Sequence, residues 1–390
     1  MRSYSAIVIG AGPAGATAAR RLAENGISTL LLERATIPRV KPCGGAITHR
    51  ALPLLPPGGE ALLKSHPCAW TFCGRNGRSV TLARNLPYSH IVERSVFDAW
   101  LTDRAAHAGV EVHDGEAVTA AEVTPTHSRL TTKYGRYTAD IVIAADGAHG
   151  MMAKAAGFPR PRRGAAIEAE IPADAALLQH YHERVEIHVG QYPWGYAWVI
   201  PRAEILNIGV GSFRPAMFPL KERFFEFLER IVGHRDVVPL AHPLPYRLRW
   251  DPPVRNRVLF AGDAAGLMDA FSAEGIYSAL KSGHMAADAA LESLRHGTPC
   301  RTYAENLYEE FWPALKSAAK MSLLFYPLAG FWSDVFGQNQ ELLSHYLDVA
   351  TGECPYDTLT RRAEHQLLHH PSMLLKRPRL NSAHDTFGST

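Results

Sequence analysis

The sequence predicts an α/β protein: a largely parallel sheet wrapped by helices, a second sheet inserted into it, and a helical C-terminal region. Three observations carry this. A β-branched run at residues 5–9 passes through a glycine-rich turn into a helical pattern and then a second apolar run. Short apolar runs that end in Asp-Gly or Gly-Asp recur near residues 140 and 260. Between them, over about residues 161–252, the pattern changes to alternating apolar and polar residues, as in half-buried strands.

Residues 5–9 (SAIVI) read as a strand, followed by Gly10-Ala11-Gly12-Pro13-Ala14-Gly15. ATAARRLAENG then places small and apolar residues at helical spacing, with Gly26 as the stop. A second strand at 28–32 ends in Glu33, completing the opening of a Rossmann unit. Residues 38–45 form a Pro/Gly-rich loop, and 52–60, with three prolines and a Gly-Gly pair, form another connection. Residues 94–107 read as a helix with Val96, Phe97, Trp100 and Leu101 on one face. Residues 139–145 (ADIVIAA) are a buried strand ending at Asp146-Gly147. Runs at 185–189 and 196–200 are strands of the inserted sheet. Residues 257–260 form a strand into Gly262-Asp263, and a long helix covers about 275–296. The last ~90 residues follow helical periodicity, with a polar, frayed tail from Asn381. The dinucleotide-type elements therefore fall in 1–65, 90–160 and 251–300, the strand-rich unit in 66–89 and 161–250, and the helical region in 301–390.

Composition narrows the function classes. The 390 residues are 46% hydrophobic and 20% charged, which is ordinary for a globular chain. Forty-one basic against 38 acidic residues give +3, too little for a polybasic nucleic-acid binder. The 19 histidines add positive charge as the pH falls. Five scattered cysteines without a CxxC pair indicate neither a zinc ribbon nor a disulfide framework, and suit a reducing compartment. The chain runs straight into a strand, so no signal peptide is expected. The most apolar late segment, 321–330, contains Pro327 and is far short of the ~20 residues of a membrane span. The expectation is a cytoplasmic protein. His365, His369 and His370 read as a solvated helix face, and His180-x-His182 as surface histidines on a strand, so no metal site is assigned. The segment 321–332 reads as buried against the core rather than as a membrane contact.

Gly10, Gly12 and Gly15 make G-x-G-x-x-G. The first glycine permits the tight turn, the second admits a pyrophosphate, and the third packs helix on strand. The helix N-terminus presents free N–H groups and partial positive charge to the phosphates. Glu33 stands where an acid accepts ribose hydroxyls, and it would repel a 2′-phosphate. The fingerprint alone admits FAD or NAD. Asp146 and Asp263 each follow a strand, and each taken alone fits a turn or helix cap equally well. Asp263 can also accept from ribityl hydroxyls, with the helix behind it favouring negative charge on a reduced flavin.

Taken together, GAGPAG, Glu33, Arg94-x-x-Phe97-Asp98, Ala145-Asp146-Gly147 and Gly262-Asp263-Ala264-Ala265-Gly266 resemble the FAD-dependent oxidoreductases of the para-hydroxybenzoate hydroxylase fold. Lys41-Pro42-Cys43-Gly44-Gly45 and Pro193-Trp194-Gly195-Tyr196-Ala197-Trp198-Val199-Ile200-Pro201 resemble the KPCGG and PxxYxWxFP motifs of the geranylgeranyl reductase family, with Ile200 where Phe is common. The match runs from residue 1 to about 290. The resemblance implies a Rossmann-like FAD-binding domain of the para-hydroxybenzoate hydroxylase/glutathione reductase type, an inserted antiparallel β-sheet substrate domain and a helical C-terminal region.

It implies FAD held by Gly10, Gly12, Pro13, Ala14, Gly15, Glu33, Arg34, Cys43, Gly44, Gly45, Arg94, Asp146, Asp263, Gly275 and Ile276. It implies Cys43, Tyr196 and Trp198 at the chemistry: Cys43 as a proton donor or a packing residue beneath the ring, the two aromatics lining a prenyl cavity. The implied activity is reduction of isolated double bonds in geranylgeranyl or polyprenyl chains, on a lipid or a diphosphate. Electrons would come from an external donor, NAD(P)H or ferredoxin, since no second GxGxxG occurs. The lipid substrate implies at most peripheral contact with a membrane. Two departures stand out: Ala273 where the family has Gly, and His149-Gly150 where it has Asn-Ser. Tyr196 to Pro201 also lies one residue from the WxWxIP pattern of flavin halogenases, so a monooxygenase or halogenase on the same fold is the alternative. A non-catalytic FAD-binding scaffold is the second.

Overall fold

The computed structural model describes residues 2–338 and 340–369. Its first sheet is ordered Val254–Arg255, Val258–Phe260, Arg136–Ala144, Arg2–Ile9, Thr29–Leu32, Glu111–His113. The last five of these strands pair in parallel. Both faces are covered, so the strands are apolar throughout: Ile7, Val8, Leu30, Leu31, Val142 and Leu259 are all fully buried. Helices Pro13–Glu24 and Ile276–His296 lie on one face. They cross closely because Gly283 has no side chain; a Cβ there would stand 2.4 Å from the Ala14 carbonyl oxygen.

The second sheet has seven strands, ordered Leu240–Tyr246, Arg162–Pro172, Ile205–Ser212, Gly195–Arg202, Arg184–Val189, Ala69–Cys73, Ser79–Ala83. It is antiparallel except where Arg184–Val189 runs parallel to Ala69–Cys73. Strand alternation divides its residues between two faces. One face packs on helix Leu220–Val232 through Phe224, Phe227 and Leu228, together with Ala197, Val199 and Ile208. The other carries Ala166, Glu168, Val185, Ile187, Tyr196, Trp198 and Ile200 and faces the first sheet's glycine turn across a cavity. A small sheet of Ala46–Ile47, His90–Val92 and Leu63–Ser65 supports the loop that enters this cavity.

Helices Arg301–Phe325, Ala329–Gln338, Gln340–Ala350 and Tyr356–His369 make the C-terminal region. The segment around Pro327 is packed inward: Met321, Phe325, Tyr326 and Trp332 are buried in one cluster with Phe271. The Tyr326 hydroxyl donates to the Phe271 carbonyl at 2.6 Å. No helix among the described residues is long and apolar enough to cross a membrane. All five cysteines are outside disulfides.

One local expectation fails. His180 lies in a short helix, Ala175–Tyr181, with His182 just after it, rather than on a strand. Asp174 starts that helix by accepting the Leu177 N–H at 2.8 Å, an N-cap the strand reading overlooked. His365 is exposed on the last helix, and His370 lies outside the described residues.

Candidate active site

The three fingerprint glycines do different things. Gly10 has φ +98°, and a Cβ there would lie 2.3 Å from the Ala145 carbonyl oxygen. A Cβ at Gly15 would lie 1.8 Å from the Gly10 carbonyl oxygen. These two positions let strand, turn and helix close on one another. At Gly12 the nearest atom to a Cβ is Arg39 Nη2, at 3.6 Å, and Gly12, Pro13 and Ala14 line the cavity. Helix Pro13–Glu24 starts there with no side chain capping it. An uncapped N-terminus facing open space suits an anionic pyrophosphate.

Glu33 is buried at the end of its strand and accepts the N–H groups of Ala11 at 2.8 Å and Ala35 at 3.0 Å. Its carboxylate thus fixes the glycine turn. Arg39 bridges Glu33 and Asp98, at 3.7 and 3.1 Å. Asp98 also takes both hydrogen bonds of a bidentate pair with Arg94, one turn away on the same helix, at 2.8 Å each.

Asp263 faces the cavity between Lys41 Nζ, at 3.4 Å, and His242 Nε2, at 3.9 Å. Burial opposes its ionisation, but the Lys41 charge and the His242 contact hold its carboxyl below the usual range. Gly275 and Ile276 line the same wall. Beside them Ala273 adopts φ +60°, a left-handed conformation that a residue with a Cβ takes at a cost.

Cys43 enters from the loop between the two sheets. Its sulfur receives the Gly45 N–H at 3.4 Å and contacts the Arg94 guanidinium. Gly45 needs its φ of +73°, and a Cβ there would meet the Val92 carbonyl oxygen at 2.1 Å. Gly44 lies against Ile200 and Trp198. The Cys43 backbone N–H donates to Glu168 Oε1 at 2.5 Å. Trp198 Nε1 donates to Asn207 Oδ1 at 2.7 Å, and Asn207 Nδ2 donates to Glu168 at 3.3 Å. Burial pushes the Glu168 carboxyl up to about 7, against the opposing pull of Asn207, the Cys43 N–H and Arg202. The Tyr196 hydroxyl donates to the Ser272 carbonyl at 2.7 Å, and its ring centroid is 5.9 Å from that of Trp198.

One cavity of about 250 Å³ joins these parts. It runs from Gly12, Asp263 and Gly275 past Cys43 and Gly44 to Trp70, Val185, Ile187, Trp198, Phe213 and Tyr346. Tyr196 and Trp198 share a face and both line it, as their spacing on a strand predicts. Five residues named from the sequence are not in its lining: Gly10, Gly15 and Glu33, which shape the turn, and Arg34 and Asp146. Arg34 is exposed. Asp146 turns its carboxylate to the Met152 N–H at 3.0 Å, while its neighbours Ala145 and Gly147 line the cavity. Lys41, Arg39, Glu168, Asn207 and His242 had no assigned role in the sequence reading. Lys41 is part of the KPCGG match and Arg39 lies two residues before it; Glu168, Asn207 and His242 fall in no motif.

The wall chemistry fits a flavin dinucleotide: a glycine turn and uncapped helix for the pyrophosphate, and an ionised Asp263 for hydroxyls. Residues 3–205 match the family model described as FAD binding domain. The chain is 30% identical over 359 residues to a chloroplastic geranylgeranyl diphosphate reductase of Oryza sativa subsp. japonica, covering 83% of this chain and 76% of that one. A solved geranylgeranyl bacteriochlorophyll reductase-like protein from Thermoplasma acidophilum superposes with TM-score 0.76 at 20% identity, covering 96% of this chain and 100% of that one. A solved flavin-dependent brominase superposes with TM-score 0.74 at 18% identity, over 95% of this chain and 99% of that one. At those identities the two structures speak to the fold alone. FAD is the cofactor, and the chain belongs to the geranylgeranyl reductase family of FAD-dependent oxidoreductases.

Proposed function

We propose that this enzyme reduces isolated C=C bonds in geranylgeranyl or longer polyprenyl chains. One observation carries the reading: the wall that holds the cofactor and an aliphatic and aromatic pocket are two ends of the same cavity, with Cys43 between them. A polyprenyl chain offers only apolar contact, and such a lining is what binds it. The similarity to a geranylgeranyl diphosphate reductase supports the substrate class.

Bound FAD, once reduced, supplies the hydride. The protein's part is to orient the alkene, exclude water and provide a proton. Tyr196 and Trp198, both fixed by hydrogen bonds through their polar tips, present rigid ring faces to the chain. The buried aromatic cluster of Phe271, Phe325 and Tyr326 closes the region behind them to water. Cys43 is the proton donor in this reading. When its S–H bond breaks, the charge left on sulfur faces the Arg94 guanidinium and the Gly45 N–H. Electrons arrive from an external donor, NAD(P)H or ferredoxin, because the sequence carries one dinucleotide fingerprint. A lipid substrate supports transient contact with a membrane surface.

The test is turnover with a chemical reductant in the absence of oxygen, using geranylgeranyl diphosphate and a geranylgeranyl ether lipid as separate substrates. Product gaining two hydrogens per step supports the reading, and Cys43→Ser should cut the rate by ~100-fold or more, the range of a positioned acid. Oxygen-dependent hydroxylation or halogenation of a substrate, with no alkene reduced, would replace it by the monooxygenase or halogenase alternative.

A further inference from the structure

Glu168 is the part of the site that the motifs do not explain. It lies mid-strand in Arg162–Pro172, is 5% exposed, and faces the cavity. Across the sheet it stands opposite Gly209 on one side and Leu240 on the other. Its Oε1 accepts two amide N–H groups, those of Cys43 at 2.5 Å and Asn207 at 3.3 Å.

The charged and titratable groups around it are few. Arg202, from Gly195–Arg202, donates to the Cys43 carbonyl at 3.3 Å and pairs with Glu170. Glu170 itself is two residues along the same strand and disfavours charge on Glu168. His242, on Leu240–Tyr246, lines the cavity but is turned to Asp263. The Arg94 guanidinium interacts with the Cys43 side chain. The other two lining acids each face a cation: Asp263 faces Lys41, and Glu274 faces Arg50 at 3.2 Å while accepting the Tyr277 N–H at 2.7 Å. Glu168 alone of the three makes its hydrogen bonds to neutral amides, one of them the backbone N–H of the residue that needs a proton, while the Arg202 charge also acts on it.

We propose that Glu168 re-protonates Cys43, making the pair a proton relay for the reduction described above, on which this inference rests. The Cys43 S–H bond breaks as a C–H bond forms on the alkene carbon. The Glu168 O–H bond then breaks as the S–H bond re-forms, and the carboxylate recovers its proton from water. Only protons move along this path. Burial, which raises the carboxyl toward neutrality, keeps a share of Glu168 protonated at the pH of the cell.

The experiment is the pH profile of Cys43 alkylation by iodoacetamide, read by peptide mass on apo and FAD-loaded protein. It is paired with single-turnover reduction of geranylgeranyl diphosphate. In the wild type an ionised Glu168 opposes a second negative charge beside it, so the labelling profile should break near pH 7. In Glu168→Gln the break should vanish and labelling above pH 7 should rise several-fold. Single-turnover reduction should slow at least tenfold with FAD affinity unchanged. Wild-type reduction should fall as the pH rises through about 7. Glu168→Asp keeps an acid but not the shape; the relay ranks it above Gln, whereas a structural role ranks Gln above it. A Gln labelling profile superimposable on the wild type's, or Gln outperforming Asp, overturns the proposal. If wild-type protein reduces no prenyl probe, the proposed function fails, and the labelling break still decides whether Glu168 and Cys43 are coupled.

Discussion

Replacing Gly12 with alanine should separate cofactor binding from folding, with Gly15→Ala as its counterpart. At Gly15 the new methyl would stand 1.8 Å from the Gly10 carbonyl oxygen and 3.2 Å from Ala145 Cβ. No side-chain rotation relieves a clash with backbone. Overpacking of this kind costs about 1–3 kcal/mol, sometimes more, out of a total stability of about 5–15 kcal/mol. At Gly12 the nearest contact is Arg39 Nη2 at 3.6 Å, an ordinary van der Waals distance to the end of a flexible side chain. The fold then loses only the N-cap preference of glycine over alanine, at most about 1 kcal/mol. The same methyl projects where a phosphate must approach the helix N-terminus. Losing one hydrogen bond to a charged group costs about 1.5–3 kcal/mol, or roughly 10- to 100-fold in FAD affinity. Urea unfolding of the apo protein and FAD titration by fluorescence quenching read the two effects. Gly12→Ala should unfold near the wild-type midpoint and bind FAD 10- to 100-fold more weakly. Wild-type FAD affinity in Gly12→Ala, or a Gly15→Ala protein no less stable than it, would refute the division of labour.

Asp146 is partly exposed, and the desolvation of its carboxyl raises it to about 6, against the backbone N–H groups it accepts. A raised folded-state value stabilises below the unfolded value and is lost as the pH climbs through about 6. Asp146→Asn should therefore gain on the wild type by about 2 kcal/mol between about pH 4 and pH 8; a pH-independent difference in urea unfolding would contradict this. Trp198→Phe leaves Asn207 Oδ1 without its buried donor and should cost about 1–3 kcal/mol in the same assay; an unchanged midpoint would show the bond to be dispensable. Ala273→Gly should leave Tm unchanged or raise it, with a gain in stability of up to about 1 kcal/mol, because φ +60° suits glycine. Ala273→Val should lower Tm, and a Val variant as stable as Gly would argue against strain at this position.

How much of this was readable in advance depends on whether the information was local. The glycine turn is local: six consecutive residues specify it, and the structure shows at Gly10 and Gly15 the close backbone approaches their positions imply. The facing of Tyr196 and Trp198 is local too, since strand alternation suffices. Glu168 was hidden by the same rule. Ile167, Ala169 and Ile171 alternate with Glu168 and Glu170, which reads as an amphipathic strand with its acids in water. Glu170 is exposed as that pattern implies, but Glu168 looks onto a cavity closed by another part of the chain. The Lys41–Asp263 pair spans 222 positions and the Cys43–Glu168 contact 125, separations that no periodicity reports. Asp146 shows the opposite difficulty. Its Asp-Gly signature was plain, but whether the carboxylate meets a ligand or the next turn depends on a loop geometry that composition does not encode. The His180 segment fails for a smaller reason, a single aspartate cap at Asp174 outweighing the strand-like alternation after it.

The central claim is that the flavin and a prenyl chain react within one cavity. The most direct test uses the bound flavin as its own reporter. FAD on the purified protein is bleached with dithionite, the excess is removed, and geranylgeranyl diphosphate or a geranylgeranyl lipid is added without oxygen. The account predicts return of the yellow absorbance, with one double bond saturated for each flavin reoxidised. A flavin that stays bleached with every prenyl compound, yet reoxidises when oxygen and an aromatic substrate are supplied together, would contradict it.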